Sequence, residues 1–245
     1  MSRLRIPTGR RTYHHGDLRA ALLAQVGGLV REEGVAEVSL REVARRARVS
    51  HGAPAHHFKN KAGLLTAFAA EGYDRLADLI EQALTWSKAV TPPDRVELMG
   101  RAYIRFAVDN PEHFIVMYPG EGLNRADPEY IRASDRVFTA LIEAIGEGAR
   151  QGYLTANAGV AAAGAWSIAH GFSSLWLSRR LQERTGVSDI EPMASLVCRA
   201  FVDGVMRRVP EERPQVGAGV AGGAEIEGGR RDEAETSPRR KKPRA

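Results

Sequence analysis

Residues 39–58 read SLREVARRARVSHGAPAHHF, and the helix signals in this stretch decide the fold class. Ser39 followed by Glu42 fits a capping box, in which the serine hydroxyl accepts from the Glu42 amide and Glu42 reaches back. A short helix is therefore predicted from Ser39 to about Ala47. Ser50 is predicted to cap a second short helix that ends near Phe58, with Pro54 as its fourth residue, where a missing amide costs little.

The rest of the chain also carries helix signals. A helix is predicted over Asp17–Glu33 and a long one after Asn60. Proline follows a capping residue at Thr91, Asn110 and Asp127, and each pair predicts a helix start. Two more helices are predicted from about Asn157 to Leu181 and from about Asp189 to Arg208. With almost no strand signal, the fold is predicted to be all-α.

Positive charge is concentrated at the start of the chain. The 245 residues carry a formal net charge of +5, with 30 Arg and 5 Lys, and residues 1–62 hold 12 basic against 5 acidic side chains. Two short helices joined by Arg48 and Val49 have the form of a helix-turn-helix, whose second helix enters the DNA major groove by its N-terminal end. Three ordinary packed helices would give the same periodicity, but the basic charge favours the nucleic-acid interpretation.

The segment from Tyr13 to Leu65 resembles the N-terminal domain of the tetracycline-repressor (TetR) family. It begins YHHGDLRAALL, and the Val49-Ser50 opening, the His57-Phe58 pair and Lys61 fall at the family's spacing. Trp166-x-x-x-His170-Gly171 resembles the C-terminal domain of one TetR subfamily. The resemblance implies an all-α, homodimeric regulator of transcription in the bacterial cytoplasm, usually a repressor, that a small molecule releases from DNA. The family usually has a DNA-touching Tyr where this chain has Ala55.

Four segments are predicted. Residues 1–13 form a flexible basic arm, 14–60 the helix-turn-helix domain, 61–209 a helical bundle for ligand binding and dimerisation, and 210–245 a disordered tail rich in Gly and charge. Two interpretations of the tail stay open: a solvated segment, or extra nonspecific attraction to DNA.

The DNA-binding residues are predicted from helix ends, charge and the family pattern. Helix N-termini favour a phosphate, and basic arms reach the minor groove. The candidates are Arg10, Arg11, Ser39, Arg41, Ser50, His51, Gly52, Ala53, Ala55, His56 and Lys61. The alternatives are capping alone for the serines and a tail without a role for the arm. Phe58 is predicted to be core.

An effector pocket and a dimer surface are predicted in the larger domain. Aromatic and polarizable side chains line the pocket, with core packing as the alternative: Tyr103, Phe106, His113, Phe114, Met117, Phe138, Trp166 and His170. Small and apolar residues of the last two predicted helices form the dimer surface: Ala161, Ala165, Leu196, Val197, Phe201 and Val205.

Other function classes are less well supported by the sequence. There is no Gly-rich phosphate loop, no Gly-x-Ser-x-Gly elbow and no metal-ligand spacing, and Cys198, the only cysteine, is predicted to pack inside a helix. We expect no enzyme, no cofactor and no metal. The uncharged stretch 151–178 is too rich in Ala, Gly and Ser to favour a membrane span. A nonspecific architectural DNA-binding protein remains the alternative function.

Overall fold

The computed structural model describes residues 15–87, 91–118 and 122–207. The predicted arm, with Arg10 and Arg11, and the predicted tail 210–245 lie outside the described residues. Within these ranges the all-α prediction is confirmed. Leu154 and Met206 form one isolated antiparallel bridge, and the described residues contain no strand.

Three helices form an N-terminal head: α1 (His15–Glu33), α2 (Leu40–Ala47) and α3 (Ala53–Phe58). Helix α1 ends at Gly34, whose positive φ of 90° is a conformation that glycine adopts without strain. A short 3-10 helix, Val35–Glu37, leads to Ser39, whose hydroxyl accepts from the Glu42 amide as predicted. Arg48 then turns the chain in the left-handed region, at φ 57°.

Seven further helices make the body: α4 (Lys61–Ser87), α5 (Pro92–Asp109), α6 (Pro111–Met117), α7 (Pro128–Arg150), α8 (Ala158–Leu177), α9 (Arg180–Thr185) and α10 (Ile190–Val205). Helix α4 joins the head to the body, because it packs against α1 and α3 as well as α5, α6 and α7. Its predicted cap is confirmed: the Asn60 side chain accepts from the Gly63 amide at 2.9 Å. The buried apolar residues form one core that runs from head to body.

Four local predictions are wrong. Gly52, not Ser50, is the N-cap of α3, so Pro54 is the second helical residue rather than the fourth. Its missing amide belongs to the first turn, which has no partner inside a helix. Asn110 does not cap α6 with its side chain; its amide donates instead to the Phe106 carbonyl at the end of α5.

The other two concern helix ends. Helix α8 stops at Leu177, because Arg179 adopts a left-handed conformation and a separate short helix, α9, follows. Helix α10 ends at Val205 rather than Arg208. There Met206 is extended and pairs with Leu154, while the Arg207 amide donates to the Tyr153 carbonyl at 2.7 Å.

Candidate functional site

The exposed tip of α3 is the first candidate site. His51, Gly52, Ala55 and His56 are exposed, whereas the inner face of α3 is fixed by Pro54 and Phe58, which are buried. Phe58 is core, as predicted. A helix held on one face and bare at its N-terminal end is the arrangement that a major-groove reading helix requires.

The arginines of α2 divide into structural and exposed ones. Arg46 crosses from α2 to α1, with ion pairs to Glu32 at 2.7 Å and to Glu33, and a weaker one to Glu42 at 3.2 Å. Arg45 is also used locally, because its guanidinium donates twice to Glu42, at 2.5 and 2.8 Å. These bonds replace the predicted contact from Glu42 back to Ser39, since that carboxylate faces the arginines.

Arg41 therefore remains as the exposed cation in the first turn of α2, and it forms no ion pair with a described residue. Ser50 is exposed, and Ser39 is half-buried with its hydroxyl used as a cap. Ala53 is half-buried. Lys61 is exposed, and its ammonium donates to the Ala36 carbonyl at 2.6 Å, which ties the start of α4 to the 3-10 helix.

The second candidate site is an apolar cavity in the body. It lies between the middle of α5 and the inner faces of α7, α8 and α10, with Tyr118 from the end of α6 at one side. Three of the eight predicted pocket residues line it: Tyr103, Phe138 and Trp166. The other walls were not among the predicted pocket residues, and they include Ile80, Val96, Met99, Gly100, Tyr118, Val137, Leu141, Cys198 and Val202.

His170 stands beside the cavity rather than in its wall. Its Nδ1 lies 3.0 Å from the Tyr103 hydroxyl, and its ring stacks on Phe114 at 5.1 Å between centroids. Burial lowers the pKa of His170, which favours the neutral imidazole, to which the Tyr103 hydroxyl can donate. The predicted Trp166 and His170 thus share one face of α8, but only Trp166 reaches the cavity.

The remaining predicted pocket residues are buried elsewhere. Phe106, on α5, is buried in the apolar core, and the ring of Phe114 stacks on the ring of His170. His113 stacks on Phe68 with 4.0 Å between ring centroids, and Met117 lies against Gly72. His113 and Met117 therefore hold α6 on α4 and do not form the cavity wall.

Some of the small residues of α8 pack against helices of the same chain and not against a partner. Ala161 is only 1% exposed, so it is not available to a partner, contrary to the prediction. A Cβ on Gly164 would lie 2.7 Å from the Phe201 ring, which shows that this glycine lets α10 of the same chain approach α8 closely. Ala165 and Phe201 line the cavity. Leu196 is 66% exposed, while Val197 and Val205 are half-buried.

A larger groove on the surface has a different character. It is an open space of about 770 Å³ along α4 and α7 with mixed charges. Two of its arginines already bind carboxylates of α4: Arg132 binds Asp74 at 2.7 Å, and Arg136 binds Asp78 at 2.9 Å. The surface of the groove is accordingly charge-balanced.

The described ranges contain neither of two other kinds of site. Among residues 15–87, 91–118 and 122–207, no three His, Cys, Asp or Glu side chains are grouped so that they could hold a metal ion. None of the helices described in those ranges has the length and apolarity to cross a membrane.

Both parts of the chain, the head and the body, match models of known protein families. Residues 28–68 match the model of bacterial regulatory proteins of the tetR family, and residues 96–201 match that of the tetracyclin repressor-like C-terminal domain. An HTH-type transcriptional regulator of Mycobacterium tuberculosis is 28% identical over 142 residues, which are 56% of this chain and 61% of that protein. The chain thus spans about three fifths of the length of the curated relatives it matches.

Two solved structures have a similar fold. A protein of unknown function from Rhodococcus sp. RHA1 superposes with a TM-score of 0.68 at 27% identity, over 81% of this chain and 100% of that one. A tetR-family regulatory protein from Rhodococcus RHA1 gives a TM-score of 0.60 at 21% identity, over 78% and 98% of the two chains. Because the head and the body match models of the same family in the order in which that family has them, the chain belongs to the TetR family of bacterial transcriptional regulators.

Proposed function

We propose that this protein is a ligand-responsive regulator, acting as a repressor, that binds a palindromic DNA operator as a homodimer and is released by a small molecule. The observation that carries the proposal is the exposed tip of α3 on an anchored helix. Its base-reading residues are His51, Gly52, Ala53, Ala55 and His56. Ser39, Arg41, Ser50 and Lys61 would contact phosphates around it, and the arm residues Arg10 and Arg11 an adjacent groove.

The dimer is proposed to form through α8 and α10. Besides Trp166 at the cavity, three large apolar side chains on these helices are exposed: Val160 at 64%, Leu175 at 43% and Leu196 at 66%. We take these side chains to belong to one apolar patch, because a contiguous exposed patch marks an interaction face. A two-fold dimer places two recognition helices one turn of DNA apart, which matches a palindrome.

The cavity is the proposed effector site, with Tyr103, Phe138, Trp166 and Tyr118 in its wall. Tyr118 follows the last residue of α6. Helix α6 packs against α1, which belongs to the head, and against α4, which joins the head to the body. A ligand that binds one arrangement of these helices more tightly would shift the population of head positions. We also propose membership of the subfamily with the Trp166-x-x-x-His170-Gly171 motif, which lies within the matched C-terminal range.

The first experiment is a selection of bound duplexes from a random DNA pool at about physiological salt. Enrichment of an inverted repeat supports a sequence-specific dimer. Binding that depends on salt alone, without enrichment, contradicts the proposal and favours a nonspecific architectural protein.

Two variants then test the interface on the enriched site. His56→Ala should weaken binding to this site by about tenfold or more, with little change on random DNA, as loss of a base contact does. Arg41→Ala should weaken both and reduce the salt dependence. Arg184→Ala, which removes an exposed arginine of α9, is the matched control. An Arg184→Ala effect as large as that of Arg41→Ala would contradict the proposed interface.

Sedimentation equilibrium tests the dimer. Leu196→Glu should raise the dimer dissociation constant by about 100-fold, because it buries a charge without a partner. Ile142→Glu is the control, since Ile142 is an apolar residue of α7 with a similar exposure of 61%. Equal losses from the two variants would place the interface elsewhere.

A further inference from the structure

We infer that the cavity takes an uncharged, ring-bearing molecule whose single hydrogen-bonding group meets the hydroxyl of Tyr118. The inference rests on the proposed function only in treating the cavity as the effector site. Four features of the cavity support it: the absence of charged side chains in its wall, the buried hydroxyl of Tyr118, the aromatic walls and the small volume.

The wall contains no charged side chain among the described residues. Outside the wall, Glu97 and Arg199 on α5 and α10 form an ion pair with each other, and Arg101 on α5 is a further charge near Cys198. Cys198 does reach the wall, and its pKa is raised to about 11 by burial and by the carboxylate of Glu97, so the thiol is neutral. An anion or a cation that entered would lose its hydration without gaining an opposite charge, which disfavours both.

Tyr118 supplies the polar group that is least well satisfied. Its hydroxyl is buried and forms no hydrogen bond of good geometry with the described residues, although the side chains of Tyr73 and Tyr103 are its polar neighbours. The other hydroxyl at this end, that of Tyr103, lies 3.0 Å from His170 Nδ1 and is already used. Buried polar atoms are nearly always paired in proteins. A hydroxyl or carbonyl of a bound molecule would satisfy Tyr118 and thereby fix the orientation of that molecule.

The walls favour a flat ring. Trp166 meets Phe138 edge to face with 4.9 Å between ring centroids, and Tyr118 lies 6.3 Å from Trp166. A further ring could pack against these side chains in the same offset or edge-to-face way. Their faces and edges already contact one another, so they do not form an open cage around a cation.

The volume indicates how the ligand enters. The cavity has about 50 Å³ free, whereas a cavity of about 150 Å³ is known to hold benzene. A ring therefore has to widen the cavity. Trp166 is 40% exposed, whereas Tyr103 is 6% exposed, and the other wall residues are buried or half-buried, so the Trp166 indole is the wall group that can move outward most easily. The ligand thus enters beside Trp166 on α8.

Calorimetric titration of the full-length protein tests the chemical class with four probes of one carbon skeleton: 2-naphthol, naphthalene, 2-naphthoate and 2-naphthylmethylammonium. The neutral alcohol should bind at least about tenfold more tightly than either ion. Equal or tighter binding of an ion, or no binding of 2-naphthol, would overturn the inference.

The Tyr118→Phe variant tests the orientation. It should weaken 2-naphthol about fivefold to tenfold, as loss of one hydrogen bond does, and leave naphthalene unchanged. Tyr153→Phe, in the loop before α8, is the control and should change neither probe. Equal weakening of both probes by Tyr118→Phe would show that the ring, not the hydroxyl, matters, and would contradict the assignment.

These titrations need no DNA, so they separate the inference from the proposed function. A protein that selects an inverted repeat but ignores 2-naphthol would contradict the ligand class alone. A protein that binds 2-naphthol through Tyr118 but selects no DNA sequence would contradict the regulatory function and leave the ligand class standing.

Discussion

The guanidinium of Arg19 in α1 lies 2.5 Å from the carboxylate of Glu129 in the first turn of α7. The same guanidinium stands 5.8 Å from the centroid of the Phe58 ring, the residue that anchors α3. One side chain thus contacts both the body and the anchor of the DNA-reading helix. The contact adds to the connections between head and body that α4 and the packing of α6 on α1 already make.

Glu129→Gln should loosen α3 without unfolding the protein. Exposed ion pairs contribute about 1 kcal/mol or less, so the free energy of unfolding in urea should barely change. Amide hydrogen exchange in residues 53–58 should become faster, because Arg19 is no longer held over Phe58. Glu191→Gln, which breaks an exposed pair with Arg105 inside the body, should leave that exchange unchanged. Identical exchange in the two variants would show that the pair does not steady the head.

Gly72→Ala should separate α6 from α4. The new Cβ would lie 2.7 Å from the Met117 sulfur and 3.1 Å from the His113 Cβ, and such overpacking costs about 1–3 kcal/mol. Gly171→Ala is the matched control, because a Cβ there meets nothing within 4 Å, and alanine in a helix is favoured over glycine by up to about 1 kcal/mol. Urea unfolding should show opposite signs for the two, and a stabilised Gly72→Ala would contradict the close α4–α6 contact.

The sequence was informative where structure is set locally. Caps at Ser39, Asn60 and Asp127 each depend on one side chain and the next few amides, so the helix starts could be predicted. The prediction that Ser50 caps α3 is wrong, because two turn residues separate Ser50 from the helix and Ser50 is exposed. The confirmed caps and Ser50 have the same local sequence signal, a capping residue before a helical stretch. Only the path of the chain in the folded protein decides whether that residue caps the helix.

Most of the cavity wall could not be predicted, because the wall is set by packing between helices that are distant in the sequence. Tyr103, Phe138 and Trp166 could be chosen by residue type, but His113 has the same appearance and instead stacks on Phe68. Helix rotation decides which aromatic face points inward, and it is set by packing between distant segments. Cys198 and Tyr118 reach the wall for the same reason, and neither was predicted as a pocket residue.

The Glu42 carboxylate should make the head sensitive to acid. Hydrogen bonds from Arg45 and Arg46 lower the pKa of Glu42 from 4.5 to about 2. A carboxylate whose pKa falls on folding adds stability that is complete above about pH 4.5 and is lost as the pH falls toward 2. Carboxyl carbon NMR should therefore show Glu42 titrating near 2. Arg45→Gln should raise that value, since it removes the largest cause, and an unchanged value would contradict the observed pairing.

The Cys198 thiol should react slowly and in a strongly pH-dependent way. It is 4% exposed, and burial raises its pKa to about 11. Since only the thiolate reacts with iodoacetamide, the rate on the folded protein should rise about tenfold for each pH unit between 7 and 10. A probe bound in the cavity should slow the reaction further, because Cys198 lines the wall. Mass spectrometry of the alkylated peptide measures both effects, with protein in urea as the exposed reference. A rate on folded protein equal to that reference would mean that the packing of α10 against α5 does not cover the thiol.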